Sequence, residues 1–178
     1  MNPIDIIKKY YNPYGEAYKI LVHHGHDVAD MALRVAKNRL DLNPDLRFIE
    51  EATLLHDIGM FKTLAPDIHC DGEVDYICHG YLGSLMMMKE GYPLHALVCE
   101  RHTGTGLSLS QIIEANLPLP HRDMLPVSIE EQIICFADKF FSKTYLGKER
   151  SVEAARAKLE KYGEETVGRF DRWCEMFI

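Results

Sequence analysis

The sequence lacks the features that most directly assign a chain to a membrane or to an oxidising compartment. It has no long hydrophobic run and no signal-like N-terminal segment, so we expect no membrane insertion and a cytoplasmic location. Its five cysteines are odd in number and show no Cys-x-x-Cys spacing. We therefore expect reduced, mostly buried thiols.

Basic residues are also scarce. Lys and Arg number 20 against 27 Asp and Glu, which gives a net charge of −7 with neutral His. Without a basic stripe, this balance argues against an electrostatic surface for a nucleic-acid polymer or a membrane, and we expect neither as a partner. It leaves room for a small anionic substrate, because a bound metal ion can reverse the local field.

What the chain does contain is helical periodicity. Its 178 residues fit one domain, residues 1–178, and 47% of them are hydrophobic. Apolar residues recur at helical spacing, and no run alternates long enough to predict a strand. The predicted fold class is therefore all-α. Helices are predicted over 3–11, 15–40, 43–55, 76–90, 93–102, 108–116 and 128–145, with a final stretch from Ser151 to Phe177 interrupted at Gly163.

The most informative stretch of the sequence is the run Leu54-Leu55-His56-Asp57-Ile58-Gly59. Both polar residues lie between apolar ones at a predicted helix end, and both are ligands for divalent metals. The negative end of a helix dipole favours a cation there. Gly59 is interpreted as the helix stop.

Six ionisable residues fall on apolar helical faces or at helix ends: His24, His56, Asp57, His79, His102 and Asp138. His24 continues the stripe of Val28 and Ala32, whereas His26 lies on a more mixed face, so His24 is preferred and His26 remains the alternative. Any one of the six, taken singly, could be a hydrogen-bonded core residue. The hypothesis of a site depends on their recurrence on separate helices.

Four imidazoles and two carboxylates exceed the three protein ligands usual for one catalytic zinc. They suit two divalent transition-metal ions, with the two oxygens of Asp57 able to bridge the pair. Iron or manganese is favoured, with zinc, nickel, cobalt and magnesium as alternatives, since imidazole and carboxylate accept them all.

The ordered set resembles the HD superfamily of metal-dependent phosphohydrolases, and His56-Asp57-Ile58-Gly59 matches its HDIG subgroup. The likeness extends from about residue 21 to 143 and includes the neighbours of the ligands: Val28-Ala29 and Ala32 after His24, Gly83 after His79, Arg101 and Thr103-Gly104 around His102, and Ala137 and Lys139 around Asp138. One departure is Met60, where many HDIG members have Lys; Lys62 is a possible substitute.

The resemblance implies a single HD-domain helical bundle with a metal site at its centre and accessory helices at both ends. It implies one ion held by His24, His56, Asp57 and Asp138, and a second held by Asp57, His79 and His102. The implied activity is hydrolysis of a phosphate ester or anhydride, in a nucleotide or a small phosphorylated metabolite, with Asp57, Lys62 and Arg101 as catalytic candidates.

Two other functions remain open from the sequence. The same ligand set resembles that of diiron HD-type oxygenases that cleave a C–C or C–P bond, and a regulatory module could bind a nucleotide without turnover. His69 and Lys139 are further candidates for substrate contact. Residues 60–75 are predicted as a loop that could form a rim over the site. A homodimer is also left open.

Overall fold

The computed structural model describes all 178 residues, Met1–Ile178. The fold is mainly helical, which confirms the predicted class at that level, although two short strands show that the chain is not strictly all-α. The nine α-helices are α1 Pro3–Tyr10, α2 Glu16–Asn38, α3 Leu46–Leu55, α4 His79–Lys89, α5 Pro93–Arg101, α6 Leu109–Glu114, α7 Ile129–Asp138, α8 Val152–Leu159 and α9 Glu164–Phe177.

The start of α3 differs from the prediction. The helix was predicted to begin at Asn43, but Asn43 has a left-handed backbone with φ 51° and lies before the helix. Asp45 caps the helix instead, because its carboxylate accepts a hydrogen bond from the Phe48 amide at 2.9 Å.

The end of α7 also differs, because the helix stops at Asp138 instead of continuing to residue 145. The Arg150 guanidinium donates hydrogen bonds to the backbone carbonyls of Phe141, at 2.5 Å, and Lys139, at 3.3 Å. A longer helix would need those carbonyls for its own amides. Arg150 thereby holds residues 139–150 in a turn beside the C-terminus of α7.

The predicted loop over 60–75 contains a short hairpin. One single-turn 3-10 helix, Met60–Lys62, precedes the hairpin, and another, Pro66–Ile68, connects its two strands. Strands β1 Leu64–Ala65 and β2 Cys70–Asp71 pair antiparallel, with Leu64 opposite Asp71. The sequence signal was too short to show them, since two residues cannot display alternation.

Two large apolar clusters form most of the core, and a third, smaller one surrounds Ile112 and Met124. One joins α2, α7, α8 and α9 around Phe136 and Phe170, and the other joins α1, α3, α4 and α5 around Leu55 and Met87. The cysteines are all unpaired, and all but the half-buried Cys174 are buried, as predicted. None of the helices combines the length and apolarity needed to cross a bilayer.

Candidate metal centre

The six candidate ligands converge between the two apolar clusters. They come from five helices or helix ends: His24 lies within α2, His56-Asp57 directly follows α3, His79 begins α4, His102 directly follows α5, and Asp138 ends α7. All six side chains are buried, with Asp57 fully buried. The apolar stripe of His24 explains its place, because Val28 and Ala32 pack in the same core cluster.

His24, His56, Asp57 and Asp138 form the first group. The Nε2 atom of His24 lies 3.2 Å from Asp57 Oδ2 and 3.0 Å from Asp138 Oδ1. His56 Nε2 lies 2.9 Å and 3.4 Å from the same two oxygens. The donor atoms of these four side chains all lie within 4.8 Å of one another, so the four could hold one metal ion.

The second group uses the other oxygen of Asp57. His79 Nε2 and His102 Nε2 each lie 3.2 Å from Asp57 Oδ1. The two carboxylate oxygens of Asp57 therefore face two different sets of imidazoles. This is the geometry expected of a carboxylate that bridges two cations.

Three of the imidazoles are oriented by the same local contact. The Nδ1 atoms of His56, His79 and His102 lie 2.6, 2.6 and 2.8 Å from the carbonyl oxygens of Thr53, Tyr76 and Cys99, three residues earlier in each case. A carbonyl only accepts, so each Nδ1 carries the proton. In the neutral ring Nε2 is then the free lone pair, turned into the cluster.

The unpaired atoms fit a metal. Asp57 Oδ1, Asp57 Oδ2 and His56 Nε2 are buried without a partner in hydrogen-bonding geometry, despite the short approaches. His79 Nε2 and His102 Nε2 lie 2.9 Å apart, and with both Nδ1 atoms protonated neither neutral ring has a proton to share. Such a set is costly when dry and unpaired, and cations would satisfy it.

The two carboxyls are ionised despite their burial. Burial raises the pKa of Asp57, but His56 and Lys143 beside it hold that pKa well below the usual range. Burial likewise raises the pKa of Asp138, and the neighbouring Lys139 and His24 outweigh it. Anionic oxygens are what a divalent cation requires.

The imidazoles differ in proton affinity. Burial lowers the pKa of His56, but the charges of Asp57 and Asp138 raise it to about 9. Burial lowers the pKa of His102 to about 4, since its one carboxylate neighbour does not offset the desolvation. The pKa of each ring therefore depends on how close the ring lies to the two carboxylates.

Two lysines of the turn after α7 form ion pairs with the two buried carboxylates. Lys143 Nζ lies 2.6 Å from Asp57 Oδ2 and 5.8 Å from the centre of the Tyr76 ring, and that ring stacks on His79. Lys139 Nζ lies 2.7 Å from Asp138 Oδ2 and donates to the His102 carbonyl at 2.8 Å. Lys143 was missed from the sequence, because it was placed on a helix that does not extend that far.

The other predicted site residues are not brought to the cluster. Lys62 is exposed and lines neither cavity beside the site, so the structure does not support it as a catalytic candidate. Arg101 turns away and donates to Glu131 Oε2 at 2.9 Å. His69 is exposed in the turn between β1 and β2, and His26 is exposed on α2.

Two adjoining cavities open beside the cluster. A cavity of about 180 Å³ is lined by Asp138, Lys139 and Lys143, and a wider cleft of about 560 Å³ by Tyr76, Lys143 and the hairpin residues 64–68. Residues 60–75 therefore form part of a rim. These cavities give the cluster access to solvent.

Fold and site define a mainly helical protein with a buried cluster of His and Asp side chains that could hold metal ions. The uncharacterized protein MJ0778 of Methanocaldococcus jannaschii is 31% identical over 145 residues, covering 79% of this chain and 76% of that protein. The chain belongs to the same family as MJ0778. Neither a family model nor a solved structure matches the chain.

Two other relatives carry a named activity. The tRNA (cytidine(56)-2'-O)-methyltransferase of Thermoplasma volcanium is 28% identical over 140 residues, covering 78% of this chain. The enzyme of the same name from Picrophilus torridus is 30% identical over 125 residues, covering 69% of this chain. The chain spans only 35% and 32% of the length of these two relatives.

These relatives correct three of the functional predictions. Their names are those of methyltransferases, so the predicted phosphohydrolase activity is contradicted, and the hydrolase class and the oxygenase and regulatory alternatives are corrected with it. They act on tRNA, so the expectation of no nucleic-acid partner is contradicted as well. That expectation failed because net charge averages over the whole surface and does not report local patches.

Proposed function

We propose that this chain is an HD-type metal-binding domain that holds two divalent ions and acts on tRNA in the 2′-O-methylation of cytidine. His24, His56, Asp57 and Asp138 would hold one ion. His79 and His102 would hold the other, with Asp57 between the two. Fe, Mn or another divalent transition metal would suit this set of nitrogen and oxygen donors.

The observation that carries the metal assignment is the pair of buried Asp57 oxygens, each facing two imidazole Nε2 atoms. A core carboxylate with a structural role would accept hydrogen bonds from backbone amides or side chains. Asp57 accepts no hydrogen bond of that kind, and its one lysine partner, Lys143, lies on the Oδ2 side only. This supports a pair of cations on either side of it.

The relatives support the tRNA role. Two of them are named for methylation of a cytidine 2′-oxygen in tRNA. The chain corresponds to about a third of each. We therefore assign it the metal-binding and tRNA-contacting part of that process, and the methyl transfer itself is tested both with the chain alone and with the longer enzyme.

The chain's own residues prepare the site for cations and for an anionic partner. The carbonyl contacts of His56, His79 and His102 fix the ring orientation before any ligand arrives. Lys143 compensates the Asp57 charge from the cavity side. When bound, divalent ions would supply positive charge and Lewis acidity toward an oxygen of the RNA.

The proposal is tested with the purified chain of 178 residues. Elemental analysis should find two transition-metal ions per chain, and a labelled methyl donor with unmodified tRNA should give 2′-O-methylcytidine, or raise the yield of the Thermoplasma volcanium enzyme when the chain is added. A metal-loaded protein that changes neither yield would overturn the tRNA role.

Asp57→Ala tests the ligand set directly. Removing the shared carboxylate should reduce the metal content from two ions to none, because both groups lose a ligand. Asp30→Ala is the matched control, because Asp30 is exposed on α2 and forms no ion pair. This substitution should leave the metal content unchanged. Full metal content in Asp57→Ala would refute the assignment.

A further inference from the structure

The two cavities beside the metal centre are strongly basic, although the chain as a whole is acidic. Their lining contains five cationic side chains and two carboxylates, Asp138 and Asp67. The cations are Lys139, Lys143, Arg150, Lys158 and Lys161. We refer to this surface as the basic cleft.

The cations of the basic cleft fall into two sets: the inner cations, Lys139 and Lys143, have carboxylate partners, and the outer cations, Arg150, Lys158 and Lys161, do not. Lys139 and Lys143 are already paired with Asp138 and Asp57 at 2.7 and 2.6 Å. Arg150 donates only to backbone carbonyls, so its charge has no carboxylate partner. Lys158 and Lys161 form no ion pair, and Lys161 Nζ lies 4.9 Å from the centre of the Tyr162 ring. The outer cations are therefore available to an anion.

The arrangement differs from a pocket for one small anion. A single phosphate is usually enclosed by several convergent donors, whereas here the free cations are distributed over the linings of two adjoining cavities of about 180 and 560 Å³. Exposed lysines spaced along a groove suit a polymer of phosphates, since each contact releases counterions from the backbone. The apolar residues Phe141 and Tyr76 between them could contact sugars or bases.

We propose that the basic cleft binds the phosphate backbone of an RNA strand and leads it to the metal centre, with Arg150, Lys158 and Lys161 as the phosphate contacts. This inference rests on the proposed function for the identity of the polymer. The segment concerned, residues 150–161, consists of α8 and the residues on either side of it, outside the part of the chain that carries the candidate metal ligands.

The test measures binding of a fluorescently labelled, unmodified tRNA to the native full-length protein by anisotropy, without methyl donor or added enzyme. The variant is Lys158→Glu/Lys161→Glu. Its matched control is Lys8→Glu/Lys37→Glu, which changes the net charge equally at two exposed lysines of α1 and α2 that lie outside the cleft and form no ion pairs. Thermal unfolding of each protein verifies that it is folded.

We expect the cleft variant to bind tRNA about tenfold more weakly or worse at moderate salt, and its affinity to fall less steeply between about 50 and 200 mM KCl. The control should bind nearly as the native protein does. Adenosine monophosphate should not compete at concentrations where unlabelled RNA does.

Four results would overturn the inference: no tRNA binding by the native protein, equal affinity of native protein and cleft variant, an equal loss in the control, or competition by the mononucleotide as effective as by RNA. The assay involves no methylation, so RNA can bind in the cleft even if the methylation role is wrong. Conversely, a cleft variant that keeps its affinity for tRNA refutes RNA binding in the cleft and leaves the proposed role in methylation unaffected.

Discussion

At the scale of single residues, the recurring device is a histidine whose Nδ1 contacts the carbonyl three residues earlier. His56 and His102 use carbonyls in the last turns of α3 and α5, which the helix leaves without amide partners. The same contact therefore completes a helix end and aims a nitrogen at the cluster. A histidine one residue beyond a helix is the sequence signal for it.

His79→Ala should separate the two ions. Loss of this ring removes a ligand from the second group only, so the metal content should fall from two ions to about one per chain. His69→Ala, at an exposed histidine away from the cluster, should retain both ions by elemental analysis. If His79→Ala keeps two ions, or loses both, the division into two groups is wrong.

The sequence could supply the six candidate ligands, because each lies on an apolar stripe or next to a helix end. It could not supply Lys143. The position of that ammonium depends on the early end of α7, which Arg150 imposes from seven residues beyond Lys143. A contact of this kind has no local periodicity to reveal it. Conversely, Lys62 looked suitable by its position near Gly59 but its side chain points into solvent.

At the scale of elements, Gly59 shows how α4 reaches the site. It was expected as a helix stop, a position where glycine usually has a positive φ. Its φ is instead −80°, which any residue can adopt. The requirement is space: a Cβ at this position would lie 2.2 Å from the His79 carbonyl oxygen and 2.4 Å from the Gly83 amide nitrogen. Close approach of the backbones brings His79 to Asp57.

Gly59→Ala should therefore destabilise the protein by about 1–3 kcal/mol, as for overpacked cores, and shift the start of α4. The second ion should be bound more weakly than the first, because His79 belongs to the displaced backbone. Urea unfolding and metal titration measure the two effects.

Gly168→Ala is the control for this substitution. Gly168 lies within α9, where a Cβ would meet only a side-chain atom of Arg172 at 3.8 Å. Alanine there should be neutral or stabilise by up to about 1 kcal/mol. Equal stability of Gly59→Ala and the native protein would contradict the packing argument.

Most helices could be predicted from the sequence because each has its own apolar stripe and cap. Ser108 with Gln111 forms a capping box at the start of the helix predicted over 108–116, and Gly163 interrupts the C-terminal helix as expected. The hairpin and the end of α7 could not be predicted, since contacts distant in sequence determine them. The helical pattern thus indicates the class, and tertiary contacts set the boundaries.

At the scale of the whole molecule, charge is distributed unevenly. The net charge of −7 predicted no polyanionic partner, yet Lys158 and Lys161 leave a basic surface beside the metal centre. Acidic residues elsewhere form ion pairs with nearby arginines, such as Asp171 with Arg156 and Glu149 with Arg34. A summed charge therefore says little about one cleft.

Stability should fall on the acidic side through His95. Burial between Phe48 and Tyr92 lowers the pKa of His95, which Glu51 only partly opposes. The unfolded chain binds this proton at a pKa of about 6.5, more tightly than the folded protein. The contribution is therefore complete above pH of about 6.5 and is lost as pH falls toward the lower folded pKa.

His95→Gln should reduce this dependence. Urea unfolding of the chelator-treated protein should show the native chain losing stability faster than His95→Gln as pH falls through about 6. His69→Gln, at an exposed histidine, serves as the reference and should follow the native curve. Parallel curves for native protein and His95→Gln would show that His95 does not contribute.

The separation of the ligands along the chain has a consequence during synthesis. The contact between His24 and Asp138 spans 114 residues, and Asp138 is the last ligand to leave the ribosome. The group of Asp57, His79 and His102 is complete 36 residues earlier, by the difference between positions 138 and 102. The nascent chain therefore has every proposed ligand of one group before α7 is made, whereas the other group still lacks Asp138. If each group binds an ion as proposed, the second group could do so earlier in synthesis than the first.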